Sequence, residues 1–236
     1  MAPFKEFKNW EKRKSDQEEP IEEFKKYYLL CEGENTENWY FEELIDNRKV
    51  LGIHSTVDLI LLERTEEDLH NSSPKCLLKY ADLLTANGAI DYDKDYDKVI
   101  IVFDADIFRD KDEEFKELIL EMQGKGYWVA VTNPSFELFL LLHKDNSVNE
   151  HILPNEKELL RNKKTGSRTA MQTKFTAVAG FNPKTNKKVG ELCANLDIAI
   201  EQEKSLNQDI NECIVKLTSN IGNTIEKIRK DKLSFD

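Results

Sequence analysis

Four short apolar runs in the first 132 residues constrain the fold more than any other feature of this sequence. They occupy residues 27–31, 58–62, 99–103 and 127–131. Each run is about as long as one β-strand, and most are continuously apolar instead of alternating. Continuous runs are typical of strands in a parallel sheet, because helices cover both faces of such a sheet. The runs therefore predict an α/β fold with a parallel four-stranded sheet.

Segments with helical periodicity lie between the later runs and support the same fold. The apolar residues of 77–84 and of 115–122 recur at spacings of three and four residues, and glycine follows each segment. The alternation of strand and helix predicts right-handed crossovers, with helices flanking the sheet as in a Rossmann-like domain.

After residue 131 the pattern becomes mainly helical. Residues 135–143 predict a short apolar helix, residues 155–164 predict another that ends at a turn, and residues 189–230 have helical periodicity. We therefore expect a C-terminal helical appendage to the α/β domain. The expected division is an N-terminal extension at 1–26, an α/β domain at 27–145, and a helical module at 146–236.

The composition argues against membrane insertion and against a disulfide framework. Hydrophobic residues make up 39% of the chain, and no apolar run approaches the roughly 20 residues that cross a bilayer. Residues 1–17 lack the apolar stretch of a signal peptide. The four cysteines have no CxxC spacing, which also argues against structural zinc. We expect a cytoplasmic protein with reduced thiols.

Charge is distributed unevenly along the chain. The formal net charge is −11, yet residues 144–190 contain ten Lys or Arg and only four Asp or Glu. Contact with phosphates depends on such local patches and not on the total charge. This basic stretch is either a solvated surface or a nucleic-acid contact. In the second case the candidate contact residues are Lys163, Lys164, Arg168 and Lys174.

Carboxylates follow three of the four predicted strands. Glu32 follows the first strand, Asp104 and Asp106 follow the third, and Glu137 lies shortly after the fourth, whereas the turn at 63–66 is merely polar. Ligands bind beyond the carboxyl ends of the strands in an open parallel sheet. We therefore expect these carboxylates to gather at one edge of the sheet.

A divalent cation would reduce the repulsion among these carboxylates. Asp104 and Asp106 are two residues apart, so in extended backbone their side chains point the same way and can share one cation. Mg²⁺ prefers oxygen ligands and is commonly held by one or two carboxylates. A simpler interpretation also exists, because acids near helix N-termini interact favourably with the helix dipole, and this would account for Glu32 and Glu137.

Three short stretches resemble the motifs of a known family. Residues 30–37, Leu-Cys-Glu-Gly-Glu-Asn-Thr-Glu, resemble the first TOPRIM motif, and residues 102–106, Val-Phe-Asp-Ala-Asp, resemble the second. With residues 133–143, they are similar to the RloB-like branch of TOPRIM proteins, which occurs in bacterial restriction and phage-defence loci. A weaker similarity lies at residues 219–224.

The resemblance implies a metal-dependent nuclease acting on DNA or tRNA as the effector of an anti-phage defence system. It implies that Glu32 is the general acid/base or a metal ligand, and that Asp104 and Asp106 hold Mg²⁺ or Mn²⁺. Glu137 would be an additional acid at the site. Topoisomerase and primase members usually have a glycine soon after the second motif. This sequence has Ile-Phe-Arg-Asp at 107–110 instead, which makes Arg109 a candidate phosphate contact. An ABC-type or AAA-type ATPase encoded alongside would be the partner, and a homo-oligomer is compatible with this arrangement.

Three other function classes stay open. A phospho-receiver domain also has an aspartate and a threonine at the positions of Asp104 and Thr132, but it needs a lysine after a fifth strand. A nucleotide-sugar transferase also has DxD after a strand, but gives no role to Glu32 and Gly33. A scaffold subunit would only bind the ATPase. The chain has no Walker GxxxxGK[ST] sequence, so we do not expect it to hydrolyse ATP.

Overall fold

The structure is a computed structural model that describes residues 25–64 and 73–231. Within these residues the strands are β1 (Lys25–Cys31), β2 (Val57–Leu61), β3 (Lys98–Asp104), β4 (Trp128–Asn133), β5 (Lys164–Thr165), β6 (Arg168–Thr169) and β7 (Thr218–Ser219). The α-helices are α1 (Thr36–Asp46), α2 (Pro74–Ala86), α3 (Asp112–Gly124), α4 (Glu137–Leu141), α5 (Glu156–Arg161), α6 (Ala170–Ala179), α7 (Leu196–Glu203) and α8 (Ile221–Lys230). Segments of 3₁₀-helix lie at Asp106–Phe108, Leu153–Asn155, Lys187–Asn195 and Ile210–Val215, and one π-helical turn lies at Val148–Ile152. No helix in the described ranges is long and apolar enough to span a membrane.

A five-stranded sheet with the order β2-β1-β3-β4-β7 forms the centre of the molecule. Strands β1 to β4 run parallel, which confirms the predicted α/β fold. Strand β7 pairs antiparallel with β4 and was not predicted. The reason is physical: its two residues, Thr218 and Ser219, form no apolar run that would distinguish a strand. The short strands β5 and β6 form a separate hairpin.

Alternate residues of the strands enter two different cores. Leu29 and Ile100 belong to the core completed by α1, α4, α6, α7 and α8. Leu30 and Ile101 belong to the core completed by α2 and α3. Burial on both faces explains why the strand sequences are continuously apolar.

The shorter predicted helices are present. Helix α4 lies within 135–143, α5 lies within 155–164, and the β5–β6 hairpin follows α5 at the predicted interruption. Of the extension expected at 1–26, Lys25 and Lys26 belong to β1. The rest of that extension lies outside the described residues.

The helical pattern predicted for residues 189–230 is present but interrupted. The segment contains α7, β7, α8 and two 3₁₀ turns. The side chains of Asn207 and Asp209 accept hydrogen bonds from the backbone N–H two residues later, at 3.3 and 2.9 Å, and such bonds compete with helical ones. The apolar residues at helical spacing are divided between the cores, with Cys213 in one and Leu217 in the other.

Candidate active site

The four carboxylates predicted from the sequence lie beyond the carboxyl ends of neighbouring strands. Glu32 directly follows β1, Asp104 ends β3, and Glu137 opens α4 shortly after β4. Because β1, β3 and β4 are parallel neighbours, these positions share one edge of the sheet. Asp106 begins the 3₁₀ turn Asp106–Phe108 and is not in the extended backbone that the sequence suggested. The turn, and not strand alternation, therefore sets the direction of its side chain.

Sheet register brings Glu32 and Asp104 into direct contact. The backbone N–H of Glu32 donates to the carbonyl of Val102 at 2.9 Å, which extends the β1–β3 pairing by one residue. The backbone N–H of Asp104 then donates to the Glu32 carboxylate at 3.0 Å. Asp104 is paired in register with Thr132, and the Thr132 hydroxyl donates to the Asp104 carboxylate at 2.6 Å. Both carboxylates are thus oriented by neighbouring strands.

Glu37 joins these acids by folding back over Gly33. A Cβ atom at Gly33 would lie 1.9 Å from a carboxylate oxygen of Glu37, so only glycine leaves room for this side chain. Thr36 and Glu37 open α1, and the Thr36 hydroxyl donates to the carbonyl of Pro183 at 3.3 Å. The Glu-Gly motif thus has a second role, which is to admit another carboxylate. We refer to Glu32, Glu37, Asp104, Asp106 and Glu137 as the carboxylate cluster.

Burial and mutual repulsion raise the pKa values of Glu32 and Glu37. Burial is the largest cause for Glu32 and raises its pKa to about 7, and the charges of Glu37 and Asp106 add to this effect. Burial also raises the pKa of Glu37 to about 7, and here the charge of Glu137 contributes. Both groups therefore titrate near neutrality, where a side chain can both accept and release a proton.

The two aspartates of the DxD motif are affected in the same direction. Burial, followed by the charges of Glu37 and Glu137, raises the pKa of Asp104 well above its ordinary value. Burial raises the pKa of Asp106 as well, although the Arg109 guanidinium opposes the rise. Perturbation of several neighbouring acids is typical of functional sites.

Two cations near the cluster, Arg64 and Lys184, were missed by sequence reasoning. Both lower the pKa of Glu37, and Lys184 also lowers that of Asp106. Arg64 donates from Nη2 to the backbone carbonyl of Glu32 at 2.5 Å. Arg64 follows β2 in a segment that the sequence marks only as polar, and no local motif distinguishes it. Lys184 is one of ten basic residues in its stretch, and only the tertiary fold distinguishes it.

Two buried polar atoms at this edge have no hydrogen-bond partner within the described part of the chain. They are Nη1 of Arg64 and Oγ of Ser135, which lies two residues before Glu137. Buried polar atoms are normally bonded, so orphaned ones need an explanation. Both atoms are also inaccessible to solvent in this structure.

The donor set is chemically suited to a hard divalent cation. Its members are carboxylates, which Mg²⁺ and Mn²⁺ prefer to softer ligands. Among the described residues, no three His, Cys, Asp or Glu side chains are close enough together to form a complete metal site. Asp104 with Asp106 or with Glu32 can supply the one or two carboxylates by which Mg²⁺ is commonly held, with water filling the other positions.

Four of the five predicted nucleic-acid contacts lie in or beside the β5–β6 hairpin, and the fifth, Arg109, lies beside the cluster. Lys163, Lys164 and Arg168 are exposed, and Lys174 on α6 is half-buried. Arg109 is exposed near Asp106 and donates to the backbone carbonyl of Leu160, on α5, at 3.1 Å. Arg109 thus connects the DxD turn with the helix that precedes the hairpin.

The histidine nearest to these elements is not a base. His143 is buried, lies 2.9 Å from the Tyr40 hydroxyl, and contacts the carbonyl of Phe139 through its other ring nitrogen. Burial lowers its pKa to about 4, so it is neutral at physiological pH. Its surroundings are aromatic, with Tyr40 and Phe139 packed edge-on against it. His143 is a core residue.

Comparison with known proteins identifies the family. The chain matches the family described as RloB-like protein over residues 27–228, which includes the whole carboxylate cluster. No curated protein and no solved structure matches the chain. Because the match spans most of the 236 residues, this chain belongs to the RloB-like family.

Proposed function

We propose that this protein is a metal-dependent nuclease of the TOPRIM type, which hydrolyses phosphodiester bonds in DNA or RNA. The observation that carries the proposal is the carboxylate cluster at the carboxyl edge of a parallel sheet. Burial and mutual repulsion raise the pKa of four of its members. Gathering five acids in one place opposes folding, and is therefore expected where the acids serve a site.

The protein side chains have distinct roles in this proposal. Asp104 and Asp106 hold Mg²⁺ or Mn²⁺, and the Thr132 hydroxyl orients the Asp104 carboxylate. When bound, the cation supplies Lewis acidity toward phosphate oxygens and acidifies water. Glu32, with a pKa of about 7, transfers a proton to or from the attacking or leaving oxygen.

Glu37, Glu137 and the two nearby cations complete the site. Glu37 and Glu137 set the negative potential that attracts the divalent cation. Arg64 donates to the backbone carbonyl of Glu32, which holds its guanidinium beside the acids. Lys184 lowers the pKa of Glu37 and Asp106, so it is placed to offset the charge of a phosphate entering the cluster.

The proposal is tested by Mg²⁺- or Mn²⁺-dependent cleavage of plasmid DNA and total tRNA. We expect wild type to cleave one of the two, and we expect Glu32→Gln and Asp104→Asn each to lower the rate by about 100-fold or more. Glu34→Gln removes an exposed acid from the same turn and is the matched control, with an unchanged rate. Metal-dependent cleavage by Glu32→Gln at the wild-type rate would contradict the role of Glu32. No cleavage by wild type, together with no thermal stabilisation by either cation, would favour a scaffold or regulatory domain.

The family resemblance also suggests a biological setting. We propose that the nuclease is an effector of bacterial anti-phage defence and acts with an ABC-type or AAA-type ATPase encoded alongside. The absence of a Walker sequence from this chain supports a separate source of ATP hydrolysis. Co-purification of the two proteins from cells that express both, and ATP-dependent change in cleavage, would test the partnership.

A further inference from the structure

A basic cleft lies between α5 and the β5–β6 hairpin, outside the carboxylate cluster. It has a volume of about 920 Å³ and is lined by residues of α5, the hairpin and the first turn of α6. Four of the lining residues are cations and one is an acid: Lys157, Arg161, Lys163, Arg168 and Glu158. The other five are small or carry a hydroxyl group.

The cations of this cleft are not neutralised by nearby acids. Residues 159–190 contain eight Lys or Arg and no Asp or Glu. None of the four lining cations forms an ion pair within the part of the chain that the structure describes, whereas Lys116, Lys125 and Lys216 elsewhere are each paired with a carboxylate. In a protein with a net charge of −11, this concentration of unpaired positive charge indicates an anionic ligand.

The chemistry of the lining favours phosphate over base recognition. The cleft contains no aromatic side chain, among the residues described, on which a nucleobase could stack. Arginine and lysine donate to phosphate oxygens, and the hydroxyl groups of Thr165 and Ser167 can donate to phosphate or sugar. Contacts of this kind position a strand without reading its sequence.

Two structural links join the cleft to the carboxylate cluster. Arg109, three residues after Asp106, donates to the carbonyl of Leu160, and the next residue is the cleft residue Arg161. Helix α6 starts beside the hairpin and leads to the loop with Lys184. Lys184 is near enough to Glu37 and Asp106 to lower the pKa of both.

We propose that the cleft binds the phosphate backbone of the substrate strand to one side of the bond that the carboxylate cluster cleaves. This inference rests on the proposed nuclease function. The cleft holds the strand in register with the cluster, and its contacts are independent of base sequence. The cleft therefore selects a polynucleotide over a mononucleotide or a short fragment.

Equilibrium binding to fluorescent oligonucleotides of increasing length, measured by anisotropy in EDTA, tests this proposal without requiring cleavage. The variant is Lys163→Gln with Arg168→Gln, and the matched control is Lys79→Gln with Lys94→Gln, two exposed lysines that do not line the cleft. For the longer oligonucleotides, we expect about tenfold weaker binding by the cleft variant and unchanged binding by the control. The plot of log affinity against log salt should become shallower by about 1.4 to 1.8, because two phosphate contacts are lost.

Each result of this experiment decides a separate point. Equal binding by wild type and the cleft variant at every length would overturn the cleft proposal, even if wild type cleaves nucleic acid. Equally tight binding of AMP and of long oligonucleotides would also overturn it, because the cleft would then be a mononucleotide site. If binding depends on length and salt as expected but the protein cleaves no nucleic acid, the cleft proposal stands and the nuclease proposal is contradicted. Unchanged melting temperatures of both variants show that these exposed substitutions do not affect folding.

Discussion

At the scale of single residues, the site depends on a missing side chain as much as on the carboxylates. Gly33 follows Glu32, and its lack of a side chain leaves the space that the Glu37 carboxylate occupies. A Cβ atom at position 33 would lie only 1.9 Å from an oxygen of that carboxylate. Glu37 in turn contributes to the raised pKa values of Glu32 and Asp104. A substitution at Gly33 is therefore expected to alter the electrostatics of the whole cluster.

We expect Gly33→Ala to lower the metal-dependent cleavage rate about tenfold or more, because the added methyl group displaces Glu37. It should also reduce the thermal stabilisation that Mg²⁺ produces. Gly124→Ala, at the end of α3, is the control: a methyl group there would meet no atom of another described residue within 4 Å, so activity should not change. A Gly33→Ala protein with wild-type activity and metal response would show that Glu37 has no role in the site.

At the scale of elements, one buried carboxylate joins α7, β7 and α8. Glu203, at the end of α7, is fully buried and accepts hydrogen bonds from the Ser219 hydroxyl at 2.6 Å and from the backbone N–H groups of Gly222 and Asn223 at 2.9 and 2.7 Å. The last two are free donors of the first turn of α8, which a carboxylate stabilises. Asn220 then bonds to both the N–H of Val131 and the carbonyl of Val129, so this segment completes the edge of β4.

We expect Glu203→Ala to lower the free energy of unfolding by about 2–4 kcal/mol, because it leaves buried donors without an acceptor. Urea denaturation measures this change. Glu201→Ala is the matched control in the same helix, since Glu201 is exposed and pairs with Lys204 at the surface. Its expected effect is below about 1 kcal/mol. Similar losses for the two variants would mean that the Glu203 hydrogen bonds do not anchor α8.

At the scale of the whole molecule, the carboxylate cluster opposes folding when no cation is bound. The folded-state pKa of Glu37 is about 7, above the ordinary value of 4.5, so between these pH values the folded protein binds more protons than the unfolded chain. The stability of the metal-free protein therefore falls as pH rises through this window and stays low above it. A cation that binds only the folded state reverses the loss.

Glu37→Gln should consequently stabilise the protein in EDTA at pH 8. A rise in pKa from 4.5 to about 7 corresponds to about 3 kcal/mol, which screening by solvent reduces to about 1–2 kcal/mol. We expect the melting temperature to rise by about 2–6 °C relative to wild type. The difference should vanish below pH 4.5, where Glu37 is protonated in both states. Glu191→Gln, at an exposed position, is the control without effect; an unchanged or lower melting temperature for Glu37→Gln at pH 8 would contradict repulsion within the cluster.

Local sequence was sufficient for the features that have a repeating pattern or a fixed relation to a strand end. Four apolar runs predicted four parallel strands, because burial on both faces requires apolar residues throughout. Glu32, Asp104 and Glu137 were predicted at one edge, because parallel strands place their carboxyl ends together. The RloB-like family was recognisable from the same short motifs.

Features that depend on contacts between distant residues were decided only by the tertiary structure. Strand β7 has two polar residues. Its place is set by pairing with β4, by the hydrogen bond from Ser219 to Glu203, and by the bond from the Val131 N–H of β4 to the next residue, Asn220. Arg64 and Lys184 lie in ordinary polar segments, and only the fold brings them near the acids. The sequence by itself placed Glu32, Asp104 and Glu137 at one edge, since strand direction decides that. The tertiary structure decided that Glu37 joins them, which cations oppose the acids and how far their pKa values rise, since burial and distance cannot be deduced from local pattern.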